Sequence, residues 1–201
     1  NVPKKYKGLD RLKSREIIIE ELNSNKLIEK IENIKHTVPY GDRSGIIIEP
    51  YLTDQWFLDV KELAKEGIKL VNKGKTNFYP KNWTTTFHSW MKEIEPWCIS
   101  RQIWWGHQIP VWYGPSNKIF VETTEEAAEK QAKLYYGKKV KLIQDYDVLD
   151  TWFSSSLWPM STLGWPKKNI NFKKYFPTDL LITGFDIIFF WVARMIMQSI
   201  N

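Results

Sequence analysis

Cysteine is almost absent from this chain: Cys98 is the only one in 201 residues. No internal disulfide framework can form, and such usage fits a reducing compartment such as the cytoplasm. Histidine is also scarce, with three residues far apart, so His and Cys make no recognisable metal site. No long apolar run is free of charge. Leu180 to Ile200 comes nearest, but Asp186 and Arg194 interrupt it, and each would be costly in lipid. That stretch reads as a short buried strand, Pro177 to Gly184, followed by a helix from Ile187 to Ser199; a membrane is not an expected partner. Asn1-Val-Pro-Lys-Lys carries neither an initiator methionine nor an apolar signal core. Met195 to Asn201 reads as a helix cut in mid-turn, and the expectation is an excerpt of a longer protein.

Aromatic residues, by contrast, are plentiful at 15%, with eleven tryptophans. Many lie between Trp83 and Trp112, with Trp152, Trp158, Trp165 and Trp191 further along. Such density fits aromatic-lined pockets or stacking surfaces as well as plain core packing. The net charge of +6 is compatible with a polyanionic partner without demanding one. With 43% apolar and 26% charged residues the composition is globular and argues against disorder.

Local signals divide the chain. Asp10 is the natural N-cap of a helix over Arg11 to Leu22. Gly41 to Gly45 reads as a tight turn leading to a short strand, Gly45 to Glu49, which Pro50 closes. A helix is predicted from Val60 to Asn72, a second from about Thr84 to Ile94, and a strand from Lys118 to Val121. Thr124 should cap a surface helix that ends at Tyr136, with acids early and lysines later.

Candidate chemistry gathers near the carboxyl end. A strand ending at Gly184, with Asp186 at the mouth of a helix, is half of an α/β nucleotide site: glycine lets a ligand approach the backbone, and an acid accepts ribose hydroxyls. An N-capping Asp is the alternative. Ile187 and Trp191 stand four apart on one helix face, and with Trp152 they form either an apolar pocket wall or ordinary core. Arg101, beside Trp97, Trp104 and Trp105, could hold a phosphate or stacked base, or tie an aromatic junction together. Asp147 and Asp150 read as loop-capping carboxylates or as an acid–base pair, and His88 and His107 receive no role.

The segment Trp97-Cys-Ile-Ser-Arg-Gln-Ile-Trp-Trp-Gly-His-Gln-Ile-Pro110 resembles the class I aminoacyl-tRNA synthetases for branched aliphatic amino acids, in its Trp-Trp-Gly-His form the valine-specific branch. Asp147 to Ser156, Ser161 to Pro166 and Thr183 to Arg194 match as well, and Gly8 to Arg11, Glu49-Pro50 and Gln55 to Phe57 extend the likeness. The resemblance implies an α/β fold: part of a Rossmann-type catalytic domain together with the carboxyl-terminal end of an inserted α+β or β-barrel editing domain. Residues 1–52 would end the editing domain, 53–146 would return to the catalytic body with a connective insertion, and 147–201 would enter the second Rossmann half. Trp152, Ile187 and Trp191 would line a valine pocket, and Gly184 and Asp186 would meet the ribose of ATP or the adenylate. The implied partners are valine, ATP with Mg2+, and tRNA(Val), for a monomeric parent that edits mischarged threonine.

The family's His-Ile-Gly-His and Lys-Met-Ser-Lys-Ser signatures do not occur in this sequence, so the isolated chain is expected to be inactive, with no catalytic residue of its own. Relatives often carry paired cysteines near Tyr40 to Gly45; this chain has none there, and no zinc is expected. An isoleucine-specific relative, a non-catalytic tRNA-binding module and a ligand-free aromatic scaffold are the other readings.

Overall fold

The computed structural model describes residues 2–167 and 169–200. The chain forms two compact units, 1–52 and 53–201.

In the first unit, a short 3-10 turn over Lys4–Tyr6 precedes α1 (Arg11–Ser24). Asp10 caps α1 as its sequence position requires, its carboxylate accepting the amides of Leu12 (2.9 Å) and Lys13 (3.3 Å). Arg11 and Arg15 both reach Glu49, at 2.6 and 3.1 Å. The strand expected at Gly45 to Glu49 does not form. Only a bridge between Tyr40 and Ile47 closes the turn, carried by Gly41 N to Ile46 O and Ile48 N to Pro39 O, both 2.9 Å. Prolines at 39 and 50 lack the amide needed to extend the ladder, and Ile46 and Ile48 stay exposed.

The second unit opens with β1 (Phe57–Leu58) and α2 (Lys61–Asn72), followed by α3 (Asn82–Lys92), β2 (Trp97–Cys98) and β3 (Ser100–Arg101). Next come β4 (Val111–Tyr113), β5 (Ile119–Val121), α4 (Glu125–Tyr136), β6 (Ile143–Gln144) and β7 (Val148–Leu149). Short helices α5 (Thr151–Ser156), α6 (Trp158–Ser161) and α7 (Ile170–Tyr175) lead to a composite terminal helix. That helix is 3-10 over Phe185–Ile187, π over Ile188–Ala193 and α only in α8 (Arg194–Ser199). The single helix expected from Ile187 to Ser199 is thereby corrected. An apolar run such as Ile187 to Ala193 offers no polar face to fix a 3.6-residue period.

Every strand pairing among the described residues is antiparallel: β1 with β2, β3 with β7, and a three-stranded sheet in the order β5-β4-β6. The architecture is mixed α/β, and no parallel Rossmann sheet is assembled within these residues. The buried strand expected at Pro177 to Gly184 is also absent. The segment carries no strand pairing, and Leu180 and Ile182 stand 76% and 86% exposed. A β-strand exists only by pairing, and the described residues supply no neighbour for this one.

Of three buried clusters among the described residues, two hold most of the parts in place and the third lies around Ile188, Val192 and Met195. In the first, α2 presents Val60, Ala64 and Val71 at helical spacing to Phe87 and Met91 of α3, to Trp97, and to Ala193 and Met197 of the terminal helix. Gly67 lies on that same face because a Cβ there would sit 3.1 Å from the Met91 methyl and 3.3 Å from Ile196. In the second, Trp112 pairs with Phe120 across β4 and β5, and α4 covers them with Ala128 and Ala132. Thr124 caps α4, accepting the Ala127 amide at 3.3 Å, and Gly137 ends it in the left-handed conformation, φ 68°.

Candidate functional site

The terminal helix packs on α5, and the junction is organised by one buried carboxylate. Asp150 is 3% exposed at the end of β7, where Val148 pairs with Arg101 and the Asp150 amide bonds to the Ile99 carbonyl (2.7 Å). Its Oδ1 accepts the Trp152 amide at 3.3 Å and so caps α5. Its Oδ2 accepts Trp97 Nε1 at 2.9 Å and pairs with Arg101 Nη2 at 3.2 Å and Arg194 Nη1 at 3.4 Å. The Arg194 guanidinium also lies 4.2 Å above the Trp97 ring. Burial lowers the Arg194 guanidinium from its ordinary value, Asp150 acts against that, and Arg101 adds to the lowering. Arg101 is thus a tie within an aromatic junction, its Nη1 also donating to the carbonyls of Cys98 (3.1 Å) and Ser100 (2.7 Å).

The five residues singled out by sequence are placed as follows. Trp152, on α5, lies against the first core and stacks on Phe190, ring centroids 5.9 Å apart. Trp191, in the π segment, packs on the cluster of Ile188, Val192 and Met195. Its Nε1 donates to the Ser155 carbonyl of α5 (2.9 Å), and its ring meets Trp158 at 6.3 Å. The two tryptophans therefore stand on elements bound to each other, while their rings take different partners. Ile187 is half-buried where the 3-10 turn joins the π segment. Gly184 and Asp186 are exposed just ahead of it, and Asp186 makes no capping hydrogen bond. A Cβ on Gly184 would meet the Asp186 carboxylate in its present rotamer, so any larger residue there would displace that exposed acid.

A second polar group escaped the sequence reading. Asp145, Trp56 and Tyr113 border a cleft of about 380 Å³ that also includes Asp54, Gln55 and Asp147. Tyr113 donates to Asp145 Oδ2 at 2.6 Å and Trp56 Nε1 to the same oxygen at 2.8 Å. Burial and the bond to Asp145 push the Tyr113 hydroxyl up to about 12. Burial opposes charge on Asp145, but the donors Tyr113 and Trp56 and the Asp147 amide outweigh it and hold the carboxyl below its usual range. Asp147 accepts Gln102 Nε2 at 2.7 Å. Asp147 and Asp150 therefore serve different networks and do not form an acid–base pair. Only the threading of β4 beside β6 brings Tyr113 to Asp145, and no local motif announces it.

This network carries a pH signature. A Tyr raised in the folded state stabilises it fully below the unfolded value near ~10, and the effect is lost as pH rises towards the folded one. A lowered Asp does the reverse: its contribution is present above its ordinary ~3.9 and is lost as pH falls through the folded value. Tyrosinate absorbance titration should show a late step at about pH 12, and Tyr113→Phe should remove it. A complete titration near ~10 in the folded protein would break the assignment.

Against this geometry stand the comparisons. The family model described as tRNA synthetases class I (I, L, M and V) matches residues 6–201. The chain belongs to the class I tRNA synthetases. Within that family it is similar to the valine-tRNA ligase of Pelagibacter ubique, 61% identical over 197 residues, 98% of this chain and 22% of that protein. The valine-tRNA ligase of Caulobacter vibrioides is 54% identical over 201 residues, covering 100% and 22%. That of Brucella melitensis is 54% identical over 194 residues, covering 96% and 21%. This class I synthetase chain thus spans 21–22% of the length of these curated relatives. Among its described residues no helix is long and apolar enough to cross a membrane.

Proposed function

We propose that the chain is part of a valine-tRNA ligase, which condenses valine with ATP to valyl-adenylate and pyrophosphate and passes the acyl group to tRNA(Val). The observation that carries this reading is the likeness to valine-tRNA ligases along 96–100% of the chain. Residues 1–52 would close an editing domain, 53–146 would belong to the catalytic body with its connective insertion, and 147–201 would open the second half of a Rossmann-type domain. The reaction leans on positioning and charge stabilisation rather than on a protein nucleophile, and these residues would supply part of the positioning.

Trp152, Ile187 and Trp191 would form the wall of the valine pocket and act by shape, leaving no room for the extra methylene of isoleucine. Such a wall cannot strongly reject near-isosteric threonine; valine-tRNA ligase is itself the standing example, with discrimination of roughly a hundredfold. Hydrolytic editing in the parent answers that limit. The exposed Asp186 carboxylate would accept ribose hydroxyls, with Gly184 giving the backbone close approach. Mg2+ would travel on the phosphates of ATP. Among the described residues no group of three or more His, Cys, Asp or Glu side chains could hold a metal ion.

Pyrophosphate exchange on the full-length polypeptide tests the reading. Strong exchange with valine, weaker with threonine and negligible with isoleucine is the expected result, with none from the isolated 201 residues. Preference for isoleucine would make the pocket assignment wrong. Failure with all three would favour an RNA-binding module, for which Trp104 and Trp105, 106% and 89% exposed, would be the stacking surface.

A further inference from the structure

We infer that Asp150 is a positioning residue for the amino-acid pocket, setting the spacing between the element that carries Trp152 and the element that carries Trp191. The inference rests on the pocket proposed above and adds a residue to it that touches no substrate. An ordinary helix cap needs one carboxylate–amide bond and sits at the surface. Asp150 is 3% exposed, and a carboxylate out of water needs full pairing to be tolerated. It has that pairing on both oxygens, from four elements: the Trp152 amide of α5, Trp97 of β2, Arg101 of β3 and Arg194 of α8.

The contacts close a circuit. Asp150 fixes the first turn of α5, and with it the backbone of Trp152. Through Arg194 it holds the terminal helix three residues beyond Trp191. Trp191 in turn donates to the Ser155 carbonyl (2.9 Å), back on α5. Arg194 is clamped from its other side by the Trp97 ring at 4.2 Å, and its side chain is only 12% exposed. One carboxylate therefore references both tryptophans to the same β7–β3 pair. The π-helical winding over Ile188–Ala193 carries the first anchor, Trp191–Ser155, within it and ends one residue before the second, Arg194–Asp150. Such windings recur at functional sites.

The test uses the full-length ligase. Asp150→Asn keeps an oxygen for the cap but withdraws the negative charge, so Arg194 loses its counter-ion while α5 keeps its start. Valine titration followed by tryptophan fluorescence should weaken by about tenfold or more, while the KM for ATP moves by less than about twofold. Arg194→Met alone should weaken valine binding in the same way. The double variant should recover part of the loss, because removing both partners of a buried pair costs less than removing one. Should Asp150→Asn not fold, Arg101→Met replaces it, at a side chain 40% exposed, with a smaller shift in the same direction. Unchanged valine affinity overturns the inference. So does a parallel loss of valine affinity, ATP affinity and thermal stability with no recovery in the double variant, which is the mark of a purely structural role. A wild-type enzyme without valine-dependent exchange would instead sink the pocket itself, a failure distinguishable because it needs no variant.

Discussion

Trp191→Ala in the full-length ligase is expected to raise the KM for valine by about 10–100-fold and to narrow the preference for valine over isoleucine. The indole is half-buried, tethered by its Nε1 to the Ser155 carbonyl at 2.9 Å and supported by Trp158 at 6.3 Å. In the proposed pocket its removal would take away apolar contact with the valine side chain, and a single methylene in such a pocket is already worth about 1–3 kcal/mol. It would also open space in that proposed pocket, so the larger isoleucine would gain where valine loses. Trp191→Phe keeps a ring but not the tether and should fall between the two. Steady-state exchange kinetics with both amino acids read the effect. Equal KM values for valine in wild type and Trp191→Ala would remove Trp191 from the wall.

Phe87→Ala should cost the second unit about 3–5 kcal/mol, seen as a lower urea midpoint with an unchanged slope. Phe87 is 0% exposed and stands where α2, α3, Trp97 and the terminal helix converge. Its ring meets Phe78 at 5.1 Å and His88 at 5.7 Å. Little rearrangement can refill the gap, because Gly67 already lets Met91 and Ile196 approach α2 at close range. Phe87→Leu, nearer in volume, should cost less than about 1.5 kcal/mol. A loss below about 1 kcal/mol for the alanine variant would mean that neighbouring side chains collapse into the space.

The parts of the fold legible in the sequence are those fixed within a few residues. Asp10 and Thr124 cap α1 and α4 because an N-cap bonds amides two or three positions away, and α2 shows its apolar face at helical spacing. The expected strands failed at Gly45 to Glu49 and at Pro177 to Gly184 because β structure depends on a partner that local pattern cannot supply. The π winding was illegible for a related reason: Ile187 to Ala193 is apolar on every side, so its sequence carries no phase. At the junction, Asp150 was readable as a cap and Arg101 as a tie. Their meeting with Trp97 and Arg194 joins residues far apart in sequence, and only the folded chain brings them together. Asp145 with Tyr113 belongs to the same class.

The two larger cores differ in how much of the chain must exist before each can close. Trp112, Phe120, Ala128 and Ala132, with Val140 and Leu142 around them, lie in one continuous stretch. The core around Phe87 unites α2 with Ala193 and Met197, so α2 and α3 emerge from the ribosome well before their last packing partners are translated. Until then Val60, Ala64, Phe87 and Met91 have Trp97 and its neighbours beside them but lack the cover of Ala193 and Met197. During synthesis the sheet-and-helix lobe around Trp112 can therefore set first, while the lobe that holds the tryptophan junction waits for its final turns, a window in which chaperones would find exposed apolar surface.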